Sequence, residues 1–358
     1  MDTLFCTILA QFQLDSPVVS CEKHGHGHIN KTYLVVTESG RQYVLQKLSN
    51  QAFGNIPELM QNVASVCNYL RKQTDDPRKV LTLVHTVDGK PYYHDDEIGD
   101  WRVYVFIDNS ICLQAVESPK DFYQVAVAFG SFARQLDGFP AETLFETIPN
   151  FHDTPDRYRI FKETLAKDPM NRAKDVQAEI DFVLSREDFA DKLVSQLKEG
   201  KLPLRVTHND TKLNNVMLDK ATREPLCVVD LDTTMPGLLA YDFGDAIRFG
   251  ASTAAEDEKD LNKVRMDIDL FRSYAEGFLS AFPNLTEAER DSLTIGAKKM
   301  TLECGMRFLT DYIDGDHYFG IQYPEQNLDR CRTQFKLVAD MERQWEDMLK
   351  IVREVNAQ

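Results

Sequence analysis

The sequence predicts an α+β chain of two lobes, a small β-rich one at the N-terminus and a larger, mainly helical one behind it. Three observations predict this. Residues 18 to 48 alternate in the manner of strands and are broken by turns. Trp101-Arg102-Val103-Tyr104-Val105-Phe106-Ile107 is a near-continuous apolar strand that ends at Asp108-Asn109-Ser110. Beyond it the apolar residues recur mostly at helical spacing. The junction falls near residues 106 to 112, which gives an N-terminal lobe over 1–108 and a C-terminal lobe over 109–358.

In order along the chain, Tyr33-Leu34-Val35-Val36, then residues 37 to 41, then Tyr43-Val44-Leu45-Gln46-Lys47-Leu48 read as strand, turn and strand. Just before them stands Gly25-His26-Gly27-His28-Ile29-Asn30. It reads either as an ordinary hairpin turn or as a loop whose backbone N–H groups cover phosphates. His24, His26 and His28 would share one face of a strand, but with two intervening glycines and no nearby Cys or acidic partner a metal site is disfavoured. Pro57 to Arg71 is helical, with Leu59, Val63, Val66 and Leu70 on one stripe. Ser118-Pro119-Lys120-Asp121 combines a capping Ser, Pro in the first turn and an early acid, and Phe122, Val125, Phe129, Phe132 and Leu136 continue the stripe. Further helices are expected over 155–166, 174–198, 258–281, 287–313 and 325–355, the fourth opened by the capping box Thr286-Glu287-Ala288-Glu289. These stripes read as core rather than as cofactor contacts.

Composition narrows the class. A chain of 358 residues with 43% hydrophobic and 27% charged content is that of a globular protein with a sizeable core. A formal net charge of −16 disfavours nucleic acid and anionic membrane as partners. The seven cysteines are scattered, odd in number and without a C-x-x-C pair, so reduced thiols in the cytoplasm are expected. The first residues lack a signal-peptide pattern, and no stretch reaches the ~18 apolar residues that span a bilayer. A monomer is expected.

The chemistry concentrates in Val206 to Asp232. Two apolar runs, ending at Leu218 and Val229, are joined by Lys220-Ala221-Thr222-Arg223-Glu224-Pro225 and read as a hairpin. That hairpin would bring Asp210 and Asn215 close to Asp230 and Asp232. One carboxylate there accepts a hydroxyl proton, while an amide oxygen and one or two carboxylates hold magnesium; phosphoryl transfer needs little more from the protein. Asp210 is the candidate base, Asn215 and Asp230 the first-choice magnesium ligands, and Asp232 a holder of a second ion if the strand persists. If Asp230 and Asp232 were both buried without a cation, one pKa would rise steeply, so both are expected to face the cleft. His208 is expected to hold the loop. Asp242-Phe243-Gly244 follows a Met-Pro-Gly turn and lies 32 residues beyond Asp210, against 20 for Asp230. Asp242 and Asp245 are therefore read as supports of the catalytic loop, and the metal goes to Asp230.

These motifs, His208-x-Asp210 with Asn215 and then Val229-Asp230-Leu231-Asp232, resemble those of the aminoglycoside phosphotransferase and choline kinase superfamily. The resemblance implies a protein-kinase-like two-lobed fold, ATP as phosphoryl donor, Mg2+ and a small hydroxyl acceptor. Residues 25–30, Thr207 to Lys212, Asp242-Phe243-Gly244-Asp245 and Gly305-Met306-Arg307-Phe308-Leu309 resemble one branch, the N-acetylhexosamine 1-kinases. That branch phosphorylates the anomeric hydroxyl of N-acetylglucosamine or N-acetylgalactosamine. The resemblance makes His28, Arg307 and Tyr318 sugar contacts beside Asp210. Gly25, Gly27 and Asn30 are the candidates for the nucleotide loop, and Arg248 is a further candidate for sugar or phosphate. Read from the residues alone, Arg307 sits in an ion-pair ladder with Glu303 and Asp311 at i±4.

One departure stands out. The superfamily's Leu-Lys pair on the third strand falls on Leu45-Gln46, with lysine one place later at Lys47. Either Gln46 contacts the phosphates, or a bulge turns Lys47 inward, or Lys47 is a solvated surface residue. Glu58 is a possible lysine partner. Two other readings stay open: a kinase of the same fold for an amino alcohol, aminoglycoside or homoserine, and an inactive kinase-like binding protein.

Overall fold

The computed structural model describes residues 2–25, 30–50 and 53–355. It has the α+β architecture expected, an antiparallel sheet in one unit and mainly helices in the other. The chain forms two compact units, one of residues 1–111, 138–149 and 217–235 and the other of 112–137, 150–216 and 236–358.

The first unit opens on a helix that the sequence pattern did not reveal, α1 (Thr3–Leu9), capped by the Asp2 carboxylate on Leu4 N (3.1 Å). Its sheet is built from β1 (Val18–Lys23), β2 (Lys31–Thr37), β3 (Gln42–Lys47), β4 (Leu83–Val84), β5 (Tyr93–Asp95) and β6 (Gly99–Val105), in the order β1-β2-β3-β6-β4 with β5 also against β6. Ile8, Leu9, Val35, Leu45, Trp101 and Val103 fill its core. Burying each such side chain contributes on the order of 1.5–3 kcal/mol. The β3 register is unbroken, Gln46 opposite Thr32 and Arg102, Lys47 opposite Lys31 and Trp101. No bulge turns Lys47 inward. The α2 helix (Ile56–Arg71) starts on an Asn55 cap and buries Leu59, Val63, Val66 and Leu70, the stripe read from sequence. Its Asn62 explains why distant segments belong here: the amide donates to Phe145 O (2.8 Å) and Thr234 O (3.2 Å) and accepts from Phe145 N (2.9 Å). A second sheet orders Pro225–Val228, Val216–Asp219 and Ser110–Ile111, so the expected hairpin forms.

The second unit contains α3 (Pro119–Gln135), α4 (Thr154–Lys167), α5 (Gln177–Leu184), α6 (Glu187–Ala190), α7 (Lys192–Lys198), α8 (Leu239–Gly250), α9 (Ile268–Ala281), α10 (Glu287–Asp314), α11 (Gln326–Arg343) and α12 (Trp345–Val355). Three expected helices are shorter or broken. Residues 174–198 divide into three pieces, 325–355 breaks at Gln344, and α9 begins only where Asp267 caps Asp269 N and Leu270 N (2.9 and 3.1 Å). The capping box of α10 forms as its sequence implies, Thr286 N donating to Glu289 Oε2 (2.9 Å) and Glu289 N to Thr286 Oγ1 (3.2 Å). Two helix pairs pack backbone to backbone. A methyl on Gly244 of α8 would fall on the Gly296 carbonyl of α10, and one on Gly296 would fall on the Ala240 carbonyl. Gly130 and Gly277 let α3 and α9 approach in the same way. Among the described residues no helix is long and apolar enough to cross a membrane.

Candidate active site

In the second unit the strand Arg205–Thr207 delivers the chain to His208, which is fully buried with its ring 5.6 Å from Phe129 and 6.0 Å from Phe132. The following turn passes through Asn209 at φ 64°, and Asp242 supplies its acceptors. His208 N donates to Asp242 Oδ2 (2.8 Å), Asn209 N to Asp242 Oδ1 (2.7 Å), and Thr211 Oγ1 to the Asp242 carbonyl (2.7 Å). Asp245 takes Thr211 N (3.1 Å). Two aspartates one helical turn apart on α8 thus hold His208, Asn209 and Thr211 through four hydrogen bonds. Burial pushes the Asp242 carboxyl up to about 6, against the pull of His208 and the two backbone donors. Asp245 is equally buried yet stays low, because Arg248 and Lys212 outweigh its desolvation.

The loop leaves Asp210 half-exposed. Asn215 Nδ2 donates to its carbonyl (2.8 Å) and to Oδ2 (3.1 Å), and Lys212 Nζ lies 2.9 Å from Oδ1. Asn215 therefore spends its N–H groups on Asp210 and keeps its side-chain oxygen as a hard donor. Lys212 was missed in the sequence, although the His-Asn-Asp-Thr-Lys run puts a cation two residues after the carboxylate. Burial draws its pKa down, but Asp210 and Asp245 together raise it above the ordinary value.

In the first unit the Pro225–Val228 strand does not persist to Asp232. Asp230 turns left-handed (φ 60°, ψ 58°), and a 3₁₀ turn over Leu231–Thr233 follows. The two aspartates then have opposite surroundings. Asp230 is exposed, whereas Asp232 is buried. Arg102 grips both carboxylate oxygens of Asp232, with Nη2 2.9 Å from Oδ2, and Asn30 Nδ2 donates to Oδ2 (2.7 Å). The expectation that both carboxylates face a cleft is thereby corrected. Asp232 is buried with a cation, and that cation is a guanidinium.

The other expected nucleotide residues are engaged inside this unit. Gln46 accepts from Arg102 Nε (2.9 Å) and donates to Thr32 Oγ1 (3.1 Å). Asn30 also accepts from Ser49 N (3.1 Å), and Lys47 Nζ sits over the Trp101 ring at 5.5 Å. Among the described residues no ion pair joins Glu58 to a lysine. Gly25 is exposed with φ 72°, and Gly27 and His28 lie outside the described residues.

Arg307, Tyr318 and Arg248 belong to the second unit. The Arg307 ladder does not form. Glu303 is buried and takes His152 Nδ1 (2.8 Å), Thr154 Oγ1 (2.6 Å) and Lys299 Nζ (3.1 Å). Asp311 accepts Tyr318 N (2.7 Å), Phe319 N (2.9 Å) and Asn327 Nδ2 (2.9 Å). Arg307 instead donates to Tyr318 Oη (3.2 Å) and lies 5.3–5.4 Å from the rings of Phe151, Tyr318 and Phe319. Arg248, buried, donates to Asp245 Oδ1 (2.8 Å) and Glu256 Oε1 (2.7 Å). It lines a cavity of about 670 Å³ with Gln114, Leu213, Ser252, Glu256 and Gln334. Among the described residues, the side-chain oxygen of Gln334 has no hydrogen-bond partner.

Among the described residues no group of three or more His, Cys, Asp or Glu side chains could hold a metal ion. An ion bound through the Asp230 carboxylate or the Asn215 amide oxygen would need phosphate and water to complete its shell. That donor set suits Mg2+, which keeps its waters and favours hard oxygens.

Solved structures with the same fold include an aminoglycoside phosphotransferase from Alicyclobacillus acidocaldarius (TM-score 0.63, 14% identity, 99% of this chain and 96% of that one). An amicoumacin kinase in complex with AMP-PNP and Ca2+ is also similar (TM-score 0.62, 12% identity, 94% and 93%). So is the choline kinase LicA from Streptococcus pneumoniae (TM-score 0.51, 14% identity, 90% and 94%). At such identities the likeness establishes the protein-kinase-like fold. The profile of the phosphotransferase enzyme family matches residues 20–276, and the chain belongs to that family.

Proposed function

We propose that the protein transfers the γ-phosphate of ATP to the anomeric hydroxyl of an N-acetylhexosamine, N-acetylglucosamine or N-acetylgalactosamine, as a cytoplasmic, monomeric kinase. Asp210, oriented by Asn215 and Lys212, accepts the proton of the attacking hydroxyl. Asn215 and Asp230 supply oxygens to the magnesium of the nucleotide, which neutralises charge on the transferring phosphoryl group. Gly25, Gly27 and neighbouring backbone cover the phosphates, and His28 with Tyr318 contacts the sugar.

The observation that carries the choice of acceptor is Arg307. It is held by aromatic rings and a phenol and, among the described residues, by no carboxylate. An unneutralised guanidinium repels choline or a polycationic aminoglycoside and suits a neutral ligand rich in lone pairs. The cavity beside Arg248 agrees, since its two charged side chains pair with each other and the remaining polar groups are hydroxyls and amides.

Phosphorus-31 NMR of the product after incubation with ATP, magnesium and either sugar should give an anomeric phosphate, with no 6-phosphate. Phosphorylation of choline or an aminoglycoside in preference to the sugar would sink the assignment of acceptor. Asp210→Ala should lower kcat by about 10²–10⁴ while leaving ATP affinity within about twofold, as loss of a general base does. Near-normal turnover in that variant would remove Asp210 from the chemistry.

A further inference from the structure

In protein kinases a lysine on the third strand pairs with a glutamate of the following helix and reaches the phosphates. Here the corresponding place is Gln46, Lys47 lies over Trp101, and Glu58 makes no ion pair among the described residues. A cation nevertheless stands on the same face of the sheet, one strand over. Arg102 of β6 is the cross-strand partner of Gln46, and its Nε donates to Gln46 Oε1 (2.9 Å). Its remaining nitrogens take both oxygens of Asp232, which Asn30 also binds (2.7 Å). Arg102 is 1% exposed and Asp232 4%.

We propose that Arg102 is a positioning residue for the metal–nucleotide complex. Acting through Asp232, it holds the left-handed turn that presents Asp230 to the divalent ion. The inference rests on the reading of Asp230 as a magnesium ligand and goes beyond it. Asp230 has φ 60° and ψ 58°, a conformation costing a residue other than glycine about 1–2 kcal/mol. It persists only if its surroundings over-determine it. A contact that helps to over-determine it lies two residues on, where a planar fork fixes both the position and the plane of the Asp232 carboxylate. Stability alone does not account for the pair, because replacing a buried ion pair by apolar groups of similar volume is often neutral or stabilising. The pair is also where the unusual β3 becomes intelligible. With the cation moved to β6, the third strand needs only an amide, and Gln46 supplies one that orients the guanidinium.

The test is calorimetric titration with ADP, with magnesium and with EDTA, on four proteins checked for folding by thermal unfolding. They are the wild type, Arg102→Lys, the double variant Arg102→Met/Asp232→Leu, and Asp230→Asn. Arg102→Lys keeps the charge and loses the fork, and the double variant removes both buried charges together. Both should bind Mg·ADP about 10- to 100-fold more weakly, the range for a residue that orients a metal ligand, while metal-free ADP affinity stays within about twofold. Wild-type Mg·ADP affinity in either folded variant overturns the proposal, and so does equal weakening with and without magnesium, which marks a merely structural pair. Asp230→Asn separates the two levels. If it leaves Mg·ADP affinity unchanged, the assignment of Asp230 is wrong; if it weakens that affinity while Arg102→Lys does not, only the positioning role of Arg102 fails.

Discussion

Among single residues, Asp242 shows most directly how a buried carboxylate serves a loop. It accepts two backbone N–H groups from His208 and Asn209, yet its desolvation wins and holds the carboxyl at about 6. The unfolded carboxyl titrates near 3.8, so between these values the folded chain binds more protons than the unfolded one. The stabilisation from this site is present in full below the unfolded value and is lost as pH rises through about 6. Relative to Asp242→Asn, the wild type should therefore lose about 3 kcal/mol of unfolding free energy between pH 4 and 7, read from urea melts. A pH-independent difference would show that Asp242 titrates normally. The residue scale is also where the sequence misled most. An Asp-x-Asp pair reads as a metal ligand followed by a holder of a second ion, and nothing near Asp232 in the chain announces that Arg102, 130 residues away, neutralises it. Lys212 was legible in principle, since it sits inside the motif. The partners of Glu303 were less so, because His152 and Thr154 come from a segment about 150 residues distant.

At the scale of elements, boundaries carried by local chemistry were readable and those set by packing were not. Capping side chains made the starts of α3 and α10 legible. The divisions within 174–198 and the late start of α9 follow from acceptors and neighbours that apolar periodicity does not encode. The glycines in α8 and α10 look in sequence like weak points of helices, and their reason appears only where the two backbones meet. α8 carries Asp242, Asp245 and Arg248, and α10 carries Glu303 and Arg307, so their separation sets both loop support and the proposed acceptor wall. Gly296→Ala should lower stability by about 1–3 kcal/mol and reduce turnover as well, because a methyl there must push the Ala240 carbonyl away. Gly320→Ala, with nothing within 4 Å, is the matched control and should unfold like the wild type. Equal melting temperatures for the two variants would refute close packing of α8 on α10.

Across the whole molecule, the thiols give a simple readout of the folded state. Burial pushes Cys67 up to about 12 and Cys21, Cys112 and Cys304 to about 11, while Cys6 is exposed. A disulfide reagent at pH 7.5 should find one fast-reacting thiol in the native protein and all seven in urea. Several fast equivalents in native buffer would mean that the cores around these residues open readily. The two-lobed α+β plan was legible because strand alternation gives way once to helical spacing. The discontinuity of the units was not, since residues 138–149 and 217–235 join the first unit through contacts such as those of Asn62.

That discontinuity also matters during synthesis. The short Ser110–Ile111 strand has its sheet neighbour in Val216–Asp219, about a hundred residues later. At roughly 5–20 residues per second, the growing chain would carry an unmatched edge for on the order of ten seconds. A gene split after residue 111 would leave the first fragment without residues 138–149 and 217–235 of its own unit, so the protein should resist dissection into separately expressed halves.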